Sequence, residues 1–571
     1  MAKIVKKKKK KLGGFSGSSG ASGVETSPLR PKLVPKKPPC LNKCPNNNMI
    51  RKALMVVSKT EDFGKNYEQT IEEAWRIFME TTPFPAVCGR VCPHPCETEC
   101  NRKEKEGAVS INAFERFLGD YGLEKKLVPK KLTEEKKAEK VAVIGSGPAG
   151  MSCAYHLARR GYPVTVFEAF PKSGGMLRYG IPDYRLPGKV LDGEINRILD
   201  MGVELKLNTV VGKDISMDDL RKDYKAIFVG IGAHKGRLLG VAGEDAPNVF
   251  TGTDFLHRIN NGESVEVGDK VVVVGGGDTA IDAARVARRL GANVTILYRR
   301  TRTEMPAIEE EIVGAEEEDV KIEFLAAPLD INTSDGKAMG MKCQRMELGE
   351  PDSSGRRRPV PIDGDTFDLD FTTLIAAISQ EPDFKPLDNL REGKDWIKVD
   401  DKYKTKFDDV FAGGDNINLD IAITAIYHGR YAAAAINEYI AGEAIPVPHH
   451  AKLEVIRFEK MAHTFYEEKP RVEVASLPVA DRYKALDTEI MRTMTQDEAV
   501  AESKRCMSCG MCFDCGTCWS YCQDNAIIKP LEKGGEYKFK MEFCNGCKKC
   551  AENCPCGYIA VSYTHLRAHE T

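Results

Sequence analysis

Residues 141–150 read VAVIGSGPAG, and residues 271–280 read VVVVGGGDTA. Each begins with four apolar residues, the pattern of a strand buried on both faces in a parallel sheet. Each then enters a glycine-rich turn and a helix. In the first copy Gly145 permits the tight turn, Gly147 lets backbone approach a pyrophosphate, and Gly150 lets helix and strand pack closely. Pro148 and Ala149 lie in this turn as candidate cofactor contacts, and the amphipathic helix expected from Met151 to Arg160 offers N–H groups and a positive dipole end to phosphates. A second strand, 164–167, ends in Glu168, placed to accept hydrogen bonds from a ribose diol. A lone glycine triplet is weak evidence, whereas strand, turn, helix, strand and terminal acid in order are strong.

The second copy offers Gly275, Gly276, Gly277, Asp278, Thr279 and Ala280, and its following strand ends in Tyr298-Arg299-Arg300. An acid there would repel a 2′-phosphate, whereas guanidinium groups bind one through charge-assisted hydrogen bonds. Arg299 and Arg300 therefore favour NADPH over NADH. The plainer reading is that they decorate the surface, as Arg302 close by would. Farther on, Phe411-Ala412-Gly413 leads to Gly414-Asp415, a strand end whose carboxylate would hold a flavin ribityl chain. The segment 419–431, with Thr424, would aim a helix N-terminus at the flavin ring.

The expected fold class is α/β, a two-dinucleotide flavoprotein of glutathione-reductase-like plan. The FAD domain would occupy 140–267 and 378–445, around an NAD(P)H domain at 268–377, entered after Gly230-Ile231-Gly232 and left near Ser379.

Beyond this core the cysteines carry the chemistry. Cys512, Cys515, Cys518 and Cys522 repeat as Cys544, Cys547, Cys550 and Cys554-Pro555, the run that ligates cubane clusters in bacterial ferredoxins. In that arrangement the fourth cysteine of each run closes the other cluster, so Cys554 joins the first trio and Cys522 the second. Zinc needs only two paired units and has no use for the additional thiolates. Residues 501–561 are expected to form this α+β ferredoxin-like domain with two [4Fe-4S] clusters. A second cysteine group, Cys40, Cys44, Cys88, Cys92, Cys96 and Cys100, lies in a helical region, 39–125, where four-residue spacing places thiolates on one face.

The chain has 571 residues, too many for one core. Its 83 basic and 84 acidic residues balance, which gives no global field for nucleic acid. The cysteines come in short-spaced sets, as metal ligands do, and not as a secreted disulfide framework. No run of 18 apolar residues exists, so a membrane is excluded as a partner and a soluble, cytoplasmic protein is expected. Residues 1–38, with the polylysine Lys6 to Lys11, are expected to be a disordered tail. Residues 126–139 and 446–500 read as linkers, and 562–571 as a non-native tail.

Together these motifs, with 85–93 (PAVCGRVCP), 174–182 (GGMLRYGIP) and 276–280, resemble the small subunit of NADPH-dependent glutamate synthase and its relatives over about residues 39–445. With the ferredoxin tail, the whole chain looks similar to the iron–sulfur flavoproteins that partner dissimilatory sulfite reductase. The resemblance implies FAD in the first fold, NADPH (or NADH) in the second, and flavin contacts at Gly175, Leu177 and Arg185. It implies a cluster near the flavin held by Cys44, Cys92, Cys96 and Glu115. It implies a farther one using Cys40 and Cys100 plus an upstream pair, where this chain has Lys32 and Pro35. Cys88, Cys506 or Cys509 would complete that farther site, or one cluster alone forms. The expected activity is NAD(P)H:acceptor oxidoreduction with no acid–base catalytic residue. The partner would be sulfite reductase or, alternatively, a glutamate synthase large subunit. A non-enzymatic electron-wire or zinc-scaffold subunit is the rival, and association with a second copy of the chain stays open.

Overall fold

The quartet Val141–Ile144 forms the middle of a five-stranded parallel sheet ordered Val410–Ala412, Ala226–Val229, Val141–Ile144, Val164–Phe167, Glu204–Lys206. Every residue of the three central strands is buried, which explains their unbroken apolar runs. The helix after the first turn, Pro148–Ala158, packs on the long helix Ala422–Ala441. Their backbones touch at Gly429, where a Cβ would stand 2.0 Å from the Ala149 carbonyl oxygen. The computed structural model describes residues 27–393, 396–444 and 452–563, so the polylysine run and residues 564–571 lie outside the described residues.

A second parallel sheet is ordered Lys321–Phe324, Asn293–Tyr298, Lys270–Val274, Thr373–Ala376, Val249–Thr251. The helix Asp278–Arg289 packs on one face of it. An antiparallel meander, Ala326–Ser334, Lys337–Pro351 and Arg357–Asp370, closes the other through Ile331, Met341 and Cys343. The second domain starts earlier than the expected residue 268. The edge strand Val249–Thr251 and the helix Gly252–Asn260 belong to it, and the chain crosses on a ribbon pairing Lys235–Gly236 with Gln380–Glu381. A three-residue edge strand carries no periodicity, so the sequence offered no mark there.

Ahead of both sheets, the helices Ile50–Ser58, Tyr67–Met79, Pro85–Val91 and Ile111–Glu124 enclose Trp75, Phe78, Phe84 and Phe114. The FAD domain reaches into this bundle with Glu194, whose buried carboxylate accepts from the Ala86 and Val87 N–H groups at 3.0 Å each. It thereby satisfies two orphan donors at the start of Pro85–Val91. Burial raises the Glu194 carboxyl to about 7.

Two expected boundaries are corrected. Leu29–Leu33, inside the expected disordered tail, is a strand paired antiparallel with Ile559–Tyr563, which itself runs past the expected native end at 561. Averaged over 1–38, lysines and Gly/Ser mask the alternation of Leu29, Pro31 and Leu33, whose partner lies at the far end of the chain. The described part of the expected linker 446–500 is a packed strap. Arg482 pairs with Glu317 at 2.8 Å, and Glu489 with Arg90 at 2.7 Å and Arg116 at 2.8 Å. Ile490 and Met494 are buried. The strap has little regular structure and so showed no period. Among the described residues no helix is long and apolar enough to cross a membrane.

Candidate functional site

At the carboxyl ends of the first sheet's strands, where open α/β sheets bind ligands, lies a cleft of about 460 Å³. Its walls carry Gly145, Gly147, Pro148, Ala149, Glu168, Gly175, Leu177, Gly414 and Asp415, and, from the second fold, Asp278 and Thr279. Gly145 has φ +95°, and a Cβ there would meet the Gly230 carbonyl oxygen at 2.3 Å. Gly150 packs as closely on Gly145. Around Gly147, by contrast, only the Gly175 Cα comes within 3.9 Å, which leaves room for a diphosphate beside the helix N-terminus. These residues fit a dinucleotide. Glu168 is held for it: its carboxylate accepts from the Ser146 N–H at 2.8 Å, the Ser146 hydroxyl at 2.5 Å and the Phe170 N–H at 2.9 Å.

At the other end Asp415 is largely buried, and burial raises its carboxyl to about 6. The helix Ala422–Ala441 begins beside it. Ile421, Ala422 and Ala425 face the cleft, and Thr424 is not on its wall. The residue expected at the flavin, Thr424, thus stands beside the ones that line the cleft, one position turning a side chain by about 100°. The Gly414 N–H donates to His428 Nδ1 at 3.1 Å, and burial lowers the pKa of that ring. His428 therefore sets the Gly414–Asp415 backbone.

Arg185 lines the cleft, but its guanidinium is engaged by Asp282 at 2.8 Å, to which the Tyr184 hydroxyl also donates at 3.1 Å. Burial raises the Asp282 carboxyl to about 6 while Arg185 pulls it down. Expected as a flavin contact, Arg185 stands on the cleft wall and also ties the first fold to the helix Asp278–Arg289 of the second.

The second turn repeats the first. Gly275 lies at φ +148° against the Ala377 carbonyl, and Gly276 and Gly277 continue it to Asp278, Thr279 and the buried Ala280. Asp278 accepts from the Ile308 N–H at 3.0 Å. The two arginines diverge. Arg299 is exposed. Arg300 is buried, pairs with Asp352 at 2.6 Å and donates to the Arg357 carbonyl at 2.7 Å. Arg300 is thus corrected from a phosphate ligand to an anchor of the meander, because neighbouring residues at a strand end point to opposite faces.

The cysteines gather in four sets. Cys44, Cys96 and Glu115 are buried, with Cys92 half-buried beside them; burial raises all three thiols, the Glu115 charge next raises Cys92, and the Cys44 thiol adds to the rise at Cys92 and Cys96. Burial raises Glu115 to about 8, and Asn48 donates to it at 3.4 Å. Val91 and Pro93, the neighbours of Cys92, wall the flavin cleft, so this set adjoins it. Cys40 and Cys100 line a separate cavity with Cys506 and Cys509. Cys88 is not on that wall; it lies buried beside Cys92 and Glu115, with the Thr82 hydroxyl at 3.9 Å.

Two further cavities are walled by Cys512, Cys515, Cys518 and Cys554, and by Cys522, Cys544, Cys547 and Cys550, the crossed sets that the spacing implied. Among the described residues no three such side chains close on a single point as one ion requires. The thiols of each set border a cavity, as a body with four corners needs. Cys556 escaped the sequence reading. Its sulfur lies 3.9 Å from that of Cys554, whose pKa it lowers to about 6 by hydrogen bonding. The Cys-Pro-Cys at 554–556 was the available signal.

Residues 139–429 match the pyridine nucleotide-disulphide oxidoreductase family, and residues 33–127 match dihydropyrimidine dehydrogenase domain II, 4Fe-4S cluster. The chain is 37% identical to the NADPH-Fe(3+) oxidoreductase subunit beta of Geobacter sulfurreducens, over 82% of this chain and 75% of that one. It is 38% identical to the NADP(+)-dependent formate dehydrogenase subunit beta of Moorella thermoacetica, over 82% and 70%. With the glutamate synthase [NADPH] small chain of Escherichia coli it shares 36%, over 71% and 89%.

Proposed function

The chain belongs to the pyridine nucleotide-disulphide oxidoreductase family, as a glutamate synthase small-chain-like, NADPH-dependent iron–sulfur flavoprotein oxidoreductase. On that footing we propose that it carries electrons between NADPH and a cluster-bearing protein partner, with the ferredoxin-like domain as the exit. The observation that carries this reading is the cleft itself. Both nucleotide turns and the two neighbours of Cys92 meet on its walls. Flavin supplies, when bound, the conversion between hydride and single-electron chemistry, which is the cofactor's own. The chain's part is to bind and orient. Gly147 and the helix start hold the diphosphate, Glu168 the ribose and Asp415 the ribityl hydroxyls. Asp278 and Thr279 receive the nicotinamide nucleotide, and Arg299 its 2′-phosphate. Cys44, Cys92, Cys96 and Glu115 hold the first centre next to the flavin.

Names among the relatives supply support for a shared NADP(H) half joined to different redox partners: ferric iron for one, a formate dehydrogenase that uses NADP+ for another, glutamate synthase for a third. The exit is proposed at the ferredoxin-like domain because Cys512 and Cys547 are its exposed cysteines. Affinity capture of the full chain under anoxic conditions tests the proposal. A cluster-bearing redox protein, sulfite reductase being the one the sequence resemblance suggests, should co-purify and accept electrons from NADPH. Capture of a glutamate synthase large subunit alone would overturn the sulfite-reductase assignment. Purified chain that is colourless, zinc-loaded and inert towards NADPH would overturn the whole reading.

A further inference from the structure

We propose that Cys506 and Cys509 complete a fourth cubane site with Cys40 and Cys100. That centre would then be assembled from both ends of the chain and stand between the flavin-side cluster and the ferredoxin-like pair. The inference rests on the relay reading above and deepens it.

The four thiols line one cavity together with apolar groups such as Leu54, Val109 and Ile111 and with the cationic Arg51 and Arg102. All four are free cysteines. Four thiolates around one cavity are the donor set a [4Fe-4S] cluster takes, and cationic neighbours offset its negative charge. The N-terminal domain contributes two, and within 39–125 the remaining thiol, Cys88, faces the other set.

The Cys506-Met507-Ser508-Cys509 loop is held against that domain by contacts independent of any metal. Arg505, fully buried, pairs with Glu502 at 2.5 Å and donates to the carbonyls of Gly107 at 2.7 Å, Ala108 at 3.0 Å and Lys469 at 3.0 Å. Arg51 donates to the Ser508 hydroxyl at 3.1 Å. The Lys36 N–H donates to the Gly510 carbonyl at 2.9 Å. Asn101, next to Cys100, places its amide 3.6 Å from the Cys509 sulfur, the kind of donor that stabilises a cluster thiolate.

The chain path then orders the centres. Cys40 and Cys44 sit at the start and end of one short helix, Pro39–Lys43 and its cap, and serve the fourth and the flavin-side sites respectively. Cys96 and Cys100 divide in the same way. Cys509 lies three residues before Cys512, the first ligand position of the ferredoxin-like pair. Each site therefore shares a few residues of backbone with the next.

The test uses the full chain, reconstituted anaerobically with iron and sulfide. Iron and acid-labile sulfide per bound flavin and the low-temperature EPR spectrum after dithionite reduction are the readouts. With four cubanes the parent holds about sixteen irons per flavin, and the double variant Cys506→Ala/Cys509→Ala should lose about a quarter of them while keeping its flavin. Cys88→Ala and Cys343→Ala should lose none. Since the double variant could fail to fold, the near-isosteric Cys509→Ser is the second arm. It should alter the EPR signal of one centre and leave those of the ferredoxin-like pair as they were. Iron content and spectra unchanged in both variants, the same loss from Cys88→Ala, or a Cys506–Cys509 disulfide in the iron-loaded parent would overturn the assignment. Failure of the parent reading looks different: the iron count would hold while NADPH failed to reduce the flavin.

Discussion

At the scale of single residues, the glycines and acids of the cleft were legible because their roles follow from backbone geometry alone. Gly145→Ala should show it. Strain at φ +95° costs about 1–3 kcal/mol, and the new methyl would meet the Gly230 carbonyl. Purified variant should carry little or no flavin by absorbance, with its iron per chain measured alongside. The arginines were only half legible, because the sequence treats Arg299 and Arg300 alike while the fold sends one outward and pairs the other with Asp352. Arg299→Ala should raise the KM for NADPH roughly 10- to 100-fold, the worth of a hydrogen bond to a charged group at about 1.5–3 kcal/mol, and leave NADH kinetics unchanged. Arg300→Ala should lower the melting temperature and leave the NADPH/NADH ratio alone. An Arg300→Ala enzyme that lost NADPH selectivity would return that residue to the phosphate site.

Among elements, the central strands announced themselves by unbroken apolar runs, and the helices by their glycine turns. The strap 452–500 and the edge strand Val249–Thr251 did not, because their positions are fixed by distant ion pairs and by pairing partners. Glu194 belongs here, since it joins two elements by capping the cysteine-bearing helix Pro85–Val91. Its folded pKa, about 7, lies above the ordinary 4.5 because burial disfavours the charge. A carboxyl raised in this way contributes stability that is fully present below about pH 4.5 and lost as pH rises to about 7. The loss is on the order of 3 kcal/mol. Chemical-denaturation curves of the parent and of Glu194→Gln between pH 5 and 8 should therefore differ. The parent should lose ground to the variant up to about pH 7, and the gap should stay level above it. A gap that does not change with pH would show the carboxyl to be ionised throughout.

For the whole molecule, the motifs gave the inventory of parts, and the three-dimensional contacts gave their joinery. The crossed cysteine sets were readable from spacing alone. The placing of Cys506 and Cys509 beside Cys40 and Cys100 was not, because no local rule links residues so far apart in the chain. If the ferredoxin-like domain is the exit, Cys547→Ser should leave NADPH-dependent reduction of a small dye within about twofold of the parent and reduce delivery to the protein partner at least tenfold, about 1.4 kcal/mol or more in barrier. Unimpaired delivery would put that centre off the route. The domain is clamped by strand pairing and by the Arg505 contacts, so it does not act as a carrier on a tether, and raising the viscosity with sucrose should slow partner docking without slowing electron flow inside the chain.

The pairing of Leu29–Leu33 with Ile559–Tyr563 also dictates a timetable. On the ribosome the first of these strands emerges early and must wait, unmatched, until more than 500 further residues have been added. Loading of the site shared by Cys40, Cys100, Cys506 and Cys509 therefore has to follow synthesis of both segments, whereas Cys44, Cys92, Cys96 and Glu115 are all present once the first 115 residues have been made.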